Sequence, residues 1–182
     1  MRRAIFLFIA VITFSGLIIG QGPWRSTRCE IDGDLVAVFF TSDKNGWIGG
    51  DRGYLASTKD AGKTWTKYEL KNTDDINEIY FRNEDNGYIV AGRKMFITSN
   101  GGRSWQETNL IRAGEIKTGT PEFLSIRFAD KKRGLAIGSI WKKQGKDDVV
   151  VDSLVMRSED GGSTWQRIAV PATKKGHGQV RG

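Results

Sequence analysis

Three segments of this chain obey a single rule, [ST]-x-[DN]-x-G-x-[ST]-W, and that rule leaves little freedom in what the chain can fold into. They are Thr58-Lys59-Asp60-Ala61-Gly62-Lys63-Thr64-Trp65, Thr98-Ser99-Asn100-Gly101-Gly102-Arg103-Ser104-Trp105 and Ser158-Glu159-Asp160-Gly161-Gly162-Ser163-Thr164-Trp165. The residue types explain one another. An Asp or Asn at the third position (Asp60, Asn100, Asp160) accepts hydrogen bonds from the backbone of the turn that follows it. The glycine two residues on (Gly62, Gly102, Gly162) takes positive φ at no steric cost. The hydroxyls of Thr58, Thr64, Thr98, Ser104, Ser158 and Thr164 suit the same turn. Trp65, Trp105 and Trp165 each bring a large ring to bury between neighbouring sheets. The motif therefore reads as a structural clasp on a hairpin rather than as a substrate site.

A second pattern precedes each clasp. Phe40, Gly46 and Trp47 recur as Phe81, Gly87 and Tyr88, and again as Phe128, Gly134 and Leu135. Between these punctuating residues lie short runs rich in β-branched and aromatic residues, bounded by Gly, Asn or Asp. They predict strands over 35–40, 47–50, 54–57 and 64–70, then 76–81, 88–92, 95–98 and 104–108, then 123–128, 135–141, 153–157 and 164–170. No helical periodicity follows residue 22. Four antiparallel strands per unit, with 40 residues from Trp65 to Trp105, is the arithmetic of a β-propeller blade. The expected fold is all-β, with blades over 35–70, 76–110 and 123–170 inside a repeat region of 23–170.

Spacing shows where the pattern is decorated. Gly46 to Trp65 is 19 residues and Gly87 to Trp105 is 18, but Gly134 to Trp165 is 31. The surplus falls around 142–152, and is read as a loop between the second and third strands of the third blade. A shorter surplus falls in 109–122. Loops enlarged on a regular scaffold are where binding surfaces tend to be built, so Lys142, Lys143 and Lys146 become candidate partner-binding residues. Trp24 precedes Gly46 by 22 residues, as Trp65 precedes Gly87. That spacing predicts an orphan outer strand over 24–31, without three strands of its own. Three blades and one strand fall short of the roughly four to eight that close a ring. The expectation is an incomplete or open propeller: the N-terminal part of a longer one, a truncated gene product, or an arc that self-associates through open blade edges.

The first 22 residues stand apart. Arg2 and Arg3 precede an apolar run over 4–19, the grammar of a cleaved secretory signal or of a retained N-terminal membrane anchor. Either places the blades outside the cytoplasm, periplasmic or extracellular. Cys29 is the single cysteine, so no internal disulfide staples the fold. The net charge of +7 is uneven: residues 25–110 carry −1 and residues 111–182 carry +6, ending in a basic tail over 171–182 expected to be flexible. A basic face of this kind suits an acidic protein partner or an anionic membrane surface. Nothing in the sequence resembles a nucleic-acid recognition motif. His177 is the sole histidine and lies in the tail, which leaves no basis for a His-clustered metal site or a Ser-His-Asp triad. No cofactor, metal or catalytic residue is expected.

The paired motifs resemble the Asp-box (bacterial neuraminidase-type) repeats, and within them the photosystem II stability and assembly factor family with its non-photosynthetic bacterial relatives. The stretch from Gly46 to Thr58 leading into Asp60-Ala61-Gly62-Lys63-Thr64-Trp65 is the most similar, and the resemblance covers about residues 24–170. It implies an exported, non-enzymatic propeller that binds a protein partner and assists assembly of a membrane complex. Full-length members carry more blades than the three counted in this chain. A rival reading is a fragment of an Asp-box glycoside hydrolase, sialidase-like or xyloglucanase-like, which would need two carboxyl groups, or a Tyr and Glu pair, across the scissile bond. Its acids fall mostly in turns (Asp43, Glu84, Asp85, Asp130), which favours the non-catalytic reading.

Overall fold

The computed structural model describes residues 33–112 and 114–169. The expected signal or anchor, the Trp24 strand, Cys29 and the tail with His177 lie outside the described residues. Among those described, no helix is long and apolar enough to cross a membrane.

Among the described residues twelve strands run in chain order, in three antiparallel sheets of four. Blade 1 holds β1 (Leu35–Phe40), β2 (Gly46–Gly50), β3 (Leu55–Thr58) and β4 (Thr66–Lys67). Blade 2 holds β5 (Ile76–Phe81), β6 (Gly87–Ala91), β7 (Lys94–Thr98) and β8 (Gln106–Asn109). Blade 3 holds β9 (Thr120–Phe128), β10 (Gly134–Gln144), β11 (Asp147–Ser158) and β12 (Gln166–Arg167). Each sheet is a simple meander, every strand beside its sequence neighbour. These are the blades of an all-β partial propeller. Within blade 1 a single 3-10 turn over Asp51–Gly53 links β2 to β3.

Two features differ from the spacing argument. The surplus around 142–152 is not a loop. It lengthens β10 and β11 into a hairpin paired from Gly134 opposite Ser158 out to Gln144 opposite Asp147, turning at Gly145-Lys146. The Val149-Val150-Val151 run explains this, since β-branched residues satisfy their backbone groups in a ladder more readily than in a loop. The outer strands β4 and β12 pair over only two residues each, far less than the runs 64–70 and 164–170 suggested. The clasp takes up the front of each run, and in blades 1 and 3 only one further bond prolongs the ladder: Tyr68 N–H to Leu55 O in blade 1 and Ile168 N–H to Val155 O in blade 3.

The core lies between blades rather than within one. One cluster joins Ala37, Trp47 and Leu55 of blade 1 to Ile76, Ile79, Phe81 and Phe96 of blade 2. The other joins Tyr88, Val90 and Met95 of blade 2 to Phe123, Ile126, Met156 and Trp165 of blade 3. Blade 2 is thus covered on both faces, and every residue of β6 is buried. Burying each such large apolar side chain contributes about 1.5–3 kcal/mol.

The second clasp glycine fixes how closely blades approach. At Gly102, with φ +82°, an added Cβ would lie 2.2 Å from the Trp47 ring of the preceding blade. At Gly162, with φ +92°, it would lie 3.0 Å from the Tyr88 ring. Gly145, with φ +68°, faces open space. Gly102→Ala therefore combines a backbone cost with overpacking and is expected to lose roughly 2–5 kcal/mol of stability. Gly145→Ala should lose roughly 1–2 kcal/mol, the backbone cost alone. Urea unfolding of the two variants measures the difference, and equal losses would contradict the close-approach account.

Candidate functional site

The clasps form one repeated hydrogen-bond circuit. In blade 1 the Asp60 carboxylate accepts from Thr58 Oγ1 at 2.8 Å, Thr64 N–H at 2.9 Å and Thr64 Oγ1 at 2.6 Å. Thr58 Oγ1 in turn accepts from Gly62 N–H at 2.9 Å. Blade 3 repeats this with Ser158, Asp160, Gly162 and Thr164. In blade 2 the Asn100 amide oxygen accepts from Thr98 Oγ1 and Ser104 N–H, while its amide nitrogen donates to Ser104 Oγ at 2.8 Å. The first-position hydroxyls of Thr58, Thr98 and Ser158 are buried, so this circuit satisfies groups that would otherwise be costly. Two consecutive residues of each clasp have positive φ: Ala61 and Gly62, Gly101 and Gly102, Gly161 and Gly162. The middle N–H then docks onto the first hairpin of its own blade, at Lys44 O, Asp85 O and Lys132 O.

The three box tryptophans are not equivalent. Trp165 is buried and donates its indole N–H to Gly162 O at 2.9 Å. Trp105 is half-buried against Trp47 and Phe81. Trp65 is half-buried on a face that no described blade covers. The clasps therefore hold hairpins and blade junctions, and every donor and acceptor named above is spent within the fold.

The carboxyl groups record the same arrangement. Hydrogen bonds from the Thr64 hydroxyl, the Thr64 N–H and the Thr58 hydroxyl hold Asp60 down at about 2. The backbone N–H groups of Arg133 and Lys132, then the Arg133 side chain, hold Asp130 at about 2. Asp160 and Asp152 are lowered too, Asp160 chiefly by the Thr164 hydroxyl and Asp152 chiefly by the Arg167 side chain. Each is tied to an ordered turn or strand in its charged form.

The surface that could receive a ligand is elsewhere, at the junction of blades 2 and 3. An open groove of about 1110 Å³ is bounded by the 73–75 segment, the β6–β7 turn at Gly92-Arg93-Lys94, the start of β9 at Thr120-Pro121-Glu122, and the β10–β11 extension. Its floor is a built junction. Phe123 N–H donates to Gly92 O at 2.7 Å, and the Asn77 amide donates to Phe123 O at 2.7 Å and to Glu122 at 3.2 Å. Lys142 and Lys143 line this groove, whereas Lys146 sits at the hairpin tip outside it. The structure thus brings together two of the three candidate lysines. Reasoning from sequence missed Arg93, Lys94 and Trp141 in the same wall. Only the Trp141 ring carried a signal, as the one aromatic in the extension. Its buried indole N–H has no partner among the described residues.

The groove is less basic than the chain's charge asymmetry suggested. Arg93, Lys94, Lys142 and Lys143 face Asp74, Asp75, Glu122 and Asp148. Lys94 is engaged by Glu107 at 3.3 Å, Asp75 accepts from Arg52 N–H at 2.7 Å, and Glu122 holds Asn77. Arg93, Lys142 and Lys143 are left as cations without a side-chain partner among the described residues. Part of the excess charge, at Lys174, Lys175 and Arg181, lies outside them. Among the described residues no three His, Cys, Asp or Glu side chains gather closely enough to hold a metal.

Comparison with known proteins decides the family. A family model described as photosynthesis system II assembly factor YCF48 matches residues 18–112, just over half of the chain. The chain belongs to this family. Photosystem II assembly protein Ycf48 of Synechococcus sp. (strain JA-2-3B'a(2-13)) is 24% identical over 149 residues, covering 79% of this chain and 39% of the relative. A solved structure of YCF48 bound to a D1 peptide superposes with a TM-score of 0.61 at 23% identity, over 80% of this chain and 43% of that one. YCF48 from Cyanidioschyzon merolae gives a TM-score of 0.56 at 18% identity, over 77% of this chain and 38% of that one. The GH74 xyloglucanase from Xanthomonas campestris shares the fold at a TM-score of 0.54 and 15% identity, over 75% of this chain and 21% of that one. The chain spans about two fifths of the length of the Ycf48 relatives it matches.

The clasp carboxylates make a signed prediction. Asp60 is held below the ordinary carboxylate range, so its contribution is fully present above about pH 4 and is lost as pH falls towards about 2. Asp60→Asn, which copies the clasp at Asn100, should be less stable than the parent at pH 6. The gap in denaturant midpoint should close as pH is lowered from 4 to 2. A gap independent of pH would show that the charge on Asp60 does not contribute.

Proposed function

We propose that this chain is an exported, non-catalytic blade scaffold that binds a segment of a protein partner in the groove between blades 2 and 3, and so assists the assembly or stability of a membrane-associated complex. The observation that carries the reading is membership of the Ycf48 family over residues 18–112. A relative solved with a D1 peptide bound supports a polypeptide ligand. Export rests on the apolar run over 4–19 behind Arg2 and Arg3, and the same run, if retained, would tie the scaffold to a membrane surface.

The groove suits such a ligand chemically. It is open, it offers Arg93, Lys142 and Lys143 to carboxylates, and Trp141 lines the same wall. Charged rims of this kind govern encounter rate and salt dependence more than affinity. The reading needs no cofactor, and the clasp residues act only by holding the blades.

The likeness to a GH74 enzyme favours one second reading, glycoside hydrolysis. A general acid needs a raised pKa. Asp60, Asp130, Asp152 and Asp160 are held in their charged form by local donors in turns and strand pairs, which fits a scaffold role for these four. Turnover of a xyloglucan or sialoside substrate, lost on replacing one groove carboxylate, would establish the enzyme instead.

The scaffold reading is tested by capture from the membrane fraction of the source cell. The captured partner should be released as salt is raised. The double reversal Lys142→Glu with Lys143→Glu should weaken capture at least about tenfold. Lys146→Glu, at the tip outside the groove, should change it by less than about twofold. Capture indifferent to both salt and the double reversal would sink this groove as the binding surface.

A further inference from the structure

In blade 3 the second strand outruns the first, and the overhang borders the groove. β9 pairs with β10 only as far as Thr120 opposite Trp141, whereas β10 runs on to Gln144 against β11. The chain before β9 does not follow it. Gly119, at φ +93°, lies so close to β10 that an added Cβ would stand 2.6 Å from the Ile140 side chain and 2.7 Å from Trp141 O. A backbone turned to positive φ leaves the ladder at this point. Residues 115–118 line a separate hollow with Ile140, Val151 and Asp152 instead. Past Trp141, no described strand lies beside β10 on its β9 side.

Two separate features give the direction of the backbone groups in this overhang. The hairpin turns through Gly145-Lys146, with Gly145 at φ +68°, so Gln144 and Asp147 form the closing hydrogen-bonded pair. Bonded and non-bonded pairs alternate along an antiparallel ladder, which makes Lys142 with Val149 a bonded pair and Lys143 with Asp148 a non-bonded one. At the other end Pro121, which has no N–H to donate, sits opposite Ile140 and marks that pair as non-bonded towards β9. Trp141 then bonds Thr120, and two residues on the same side of the strand falls to Lys143. Both counts turn the N–H and C=O of Lys143 away from β11 and towards the groove that Lys143 lines.

We propose that the groove takes its polypeptide as an added strand: an extended acidic segment that pairs with the β10 edge at Lys143 and continues the line of β9. This rests on the groove being the binding surface and adds how the ligand is held. A strand in that place exchanges two main-chain hydrogen bonds with Lys143, a mode in which backbone pairing gives affinity and side chains give selection. The selection is for carboxylates. Consecutive strand residues point to opposite faces, so Lys142 and Lys143 flank an added strand on both of its faces. Arg93 lines the same groove. A second copy of this edge is a poor occupant, because pairing it with itself sets like-charged lysines opposite one another. A bare edge is a template for any chain, and the lysines restrict this one to a segment of opposite charge.

The test uses the full chain and the peptide fluorescein-Thr-Val-Glu-Glu-Val-Thr-amide, with its Lys-Lys counterpart as control, in fluorescence anisotropy. The glutamate peptide should bind at least about tenfold more tightly than the lysine peptide. Lys143→Gln removes the charge and keeps the N–H, whereas Lys143→Pro removes both. That N–H is not bonded to β11, so the proline variant should keep the hairpin and parental circular dichroism. The glutamine variant should lose about threefold in affinity and the proline variant about tenfold beyond it. In the parent, saturating glutamate peptide should slow amide hydrogen exchange at Lys143 at least about tenfold. Equal losses in the two variants, no slowing at Lys143, or no binding of the peptide would each overturn the added strand. If the double reversal Lys142→Glu with Lys143→Glu still releases the peptide in the first two cases, the groove stands as the binding surface without strand addition. Peptide binding indifferent to that double reversal would overturn both.

Discussion

A four-stranded sheet of this size cannot bury both of its faces alone, and everything else in the structure follows from how its neighbours do so. The decisive contact sets an aromatic ring of one blade on the clasp glycine of the next: Trp47 on Gly102, Tyr88 on Gly162. A side chain at the glycine would occupy the space of the ring, so the closeness of the sheets and the positive φ of the turn are one requirement met by one residue. The surrounding aromatic contacts, Trp105 on Phe81 and Phe128 on Tyr88, extend the same interface towards the inner strands. Blade 2, covered twice, is the most buried of the three described blades.

The hydrogen-bonded clasps serve this packing from within each blade. Their carboxylates are depressed because they accept several local donors, not because they face a reacting group. This separates scaffold from surface. The conspicuous motif residues are consumed internally, while the groove is made of residues that no motif marks, such as Arg93 in a turn and Trp141 in an extended strand. A fold built in this way can carry different surfaces without altering its clasps, which is why likeness to an assembly factor and to a glycoside hydrolase can coexist in one chain.

Much of the fold was legible from residues alone. The inner strands β1 and β5 begin and end where alternation and the bounding glycines place them. The clasp chemistry was legible too, because Asp, Gly and Ser or Thr at fixed offsets permit few turns. The β10–β11 extension was not, since counting surplus residues locates an insertion but does not say whether its backbone pairs. Lys142 and Lys143 belong to this insertion, as their spacing suggests, but their neighbours across the blade junction come from a turn some fifty residues earlier in the chain.

What the sequence by itself determined was local and periodic: the number of described blades, the strands within them and the turn at each box, since these depend on residues a few positions apart. What only the tertiary structure decided was relational. It set which ring meets which glycine, which of three chemically similar tryptophans is fully buried, and which apolar positions a described neighbouring blade covers. Those outcomes depend on contacts between segments distant in the chain. Val38 and Ile79 each pair with the third residue of the second strand of their blade and look alike in sequence, and among the described residues they differ in whether a neighbouring sheet covers them.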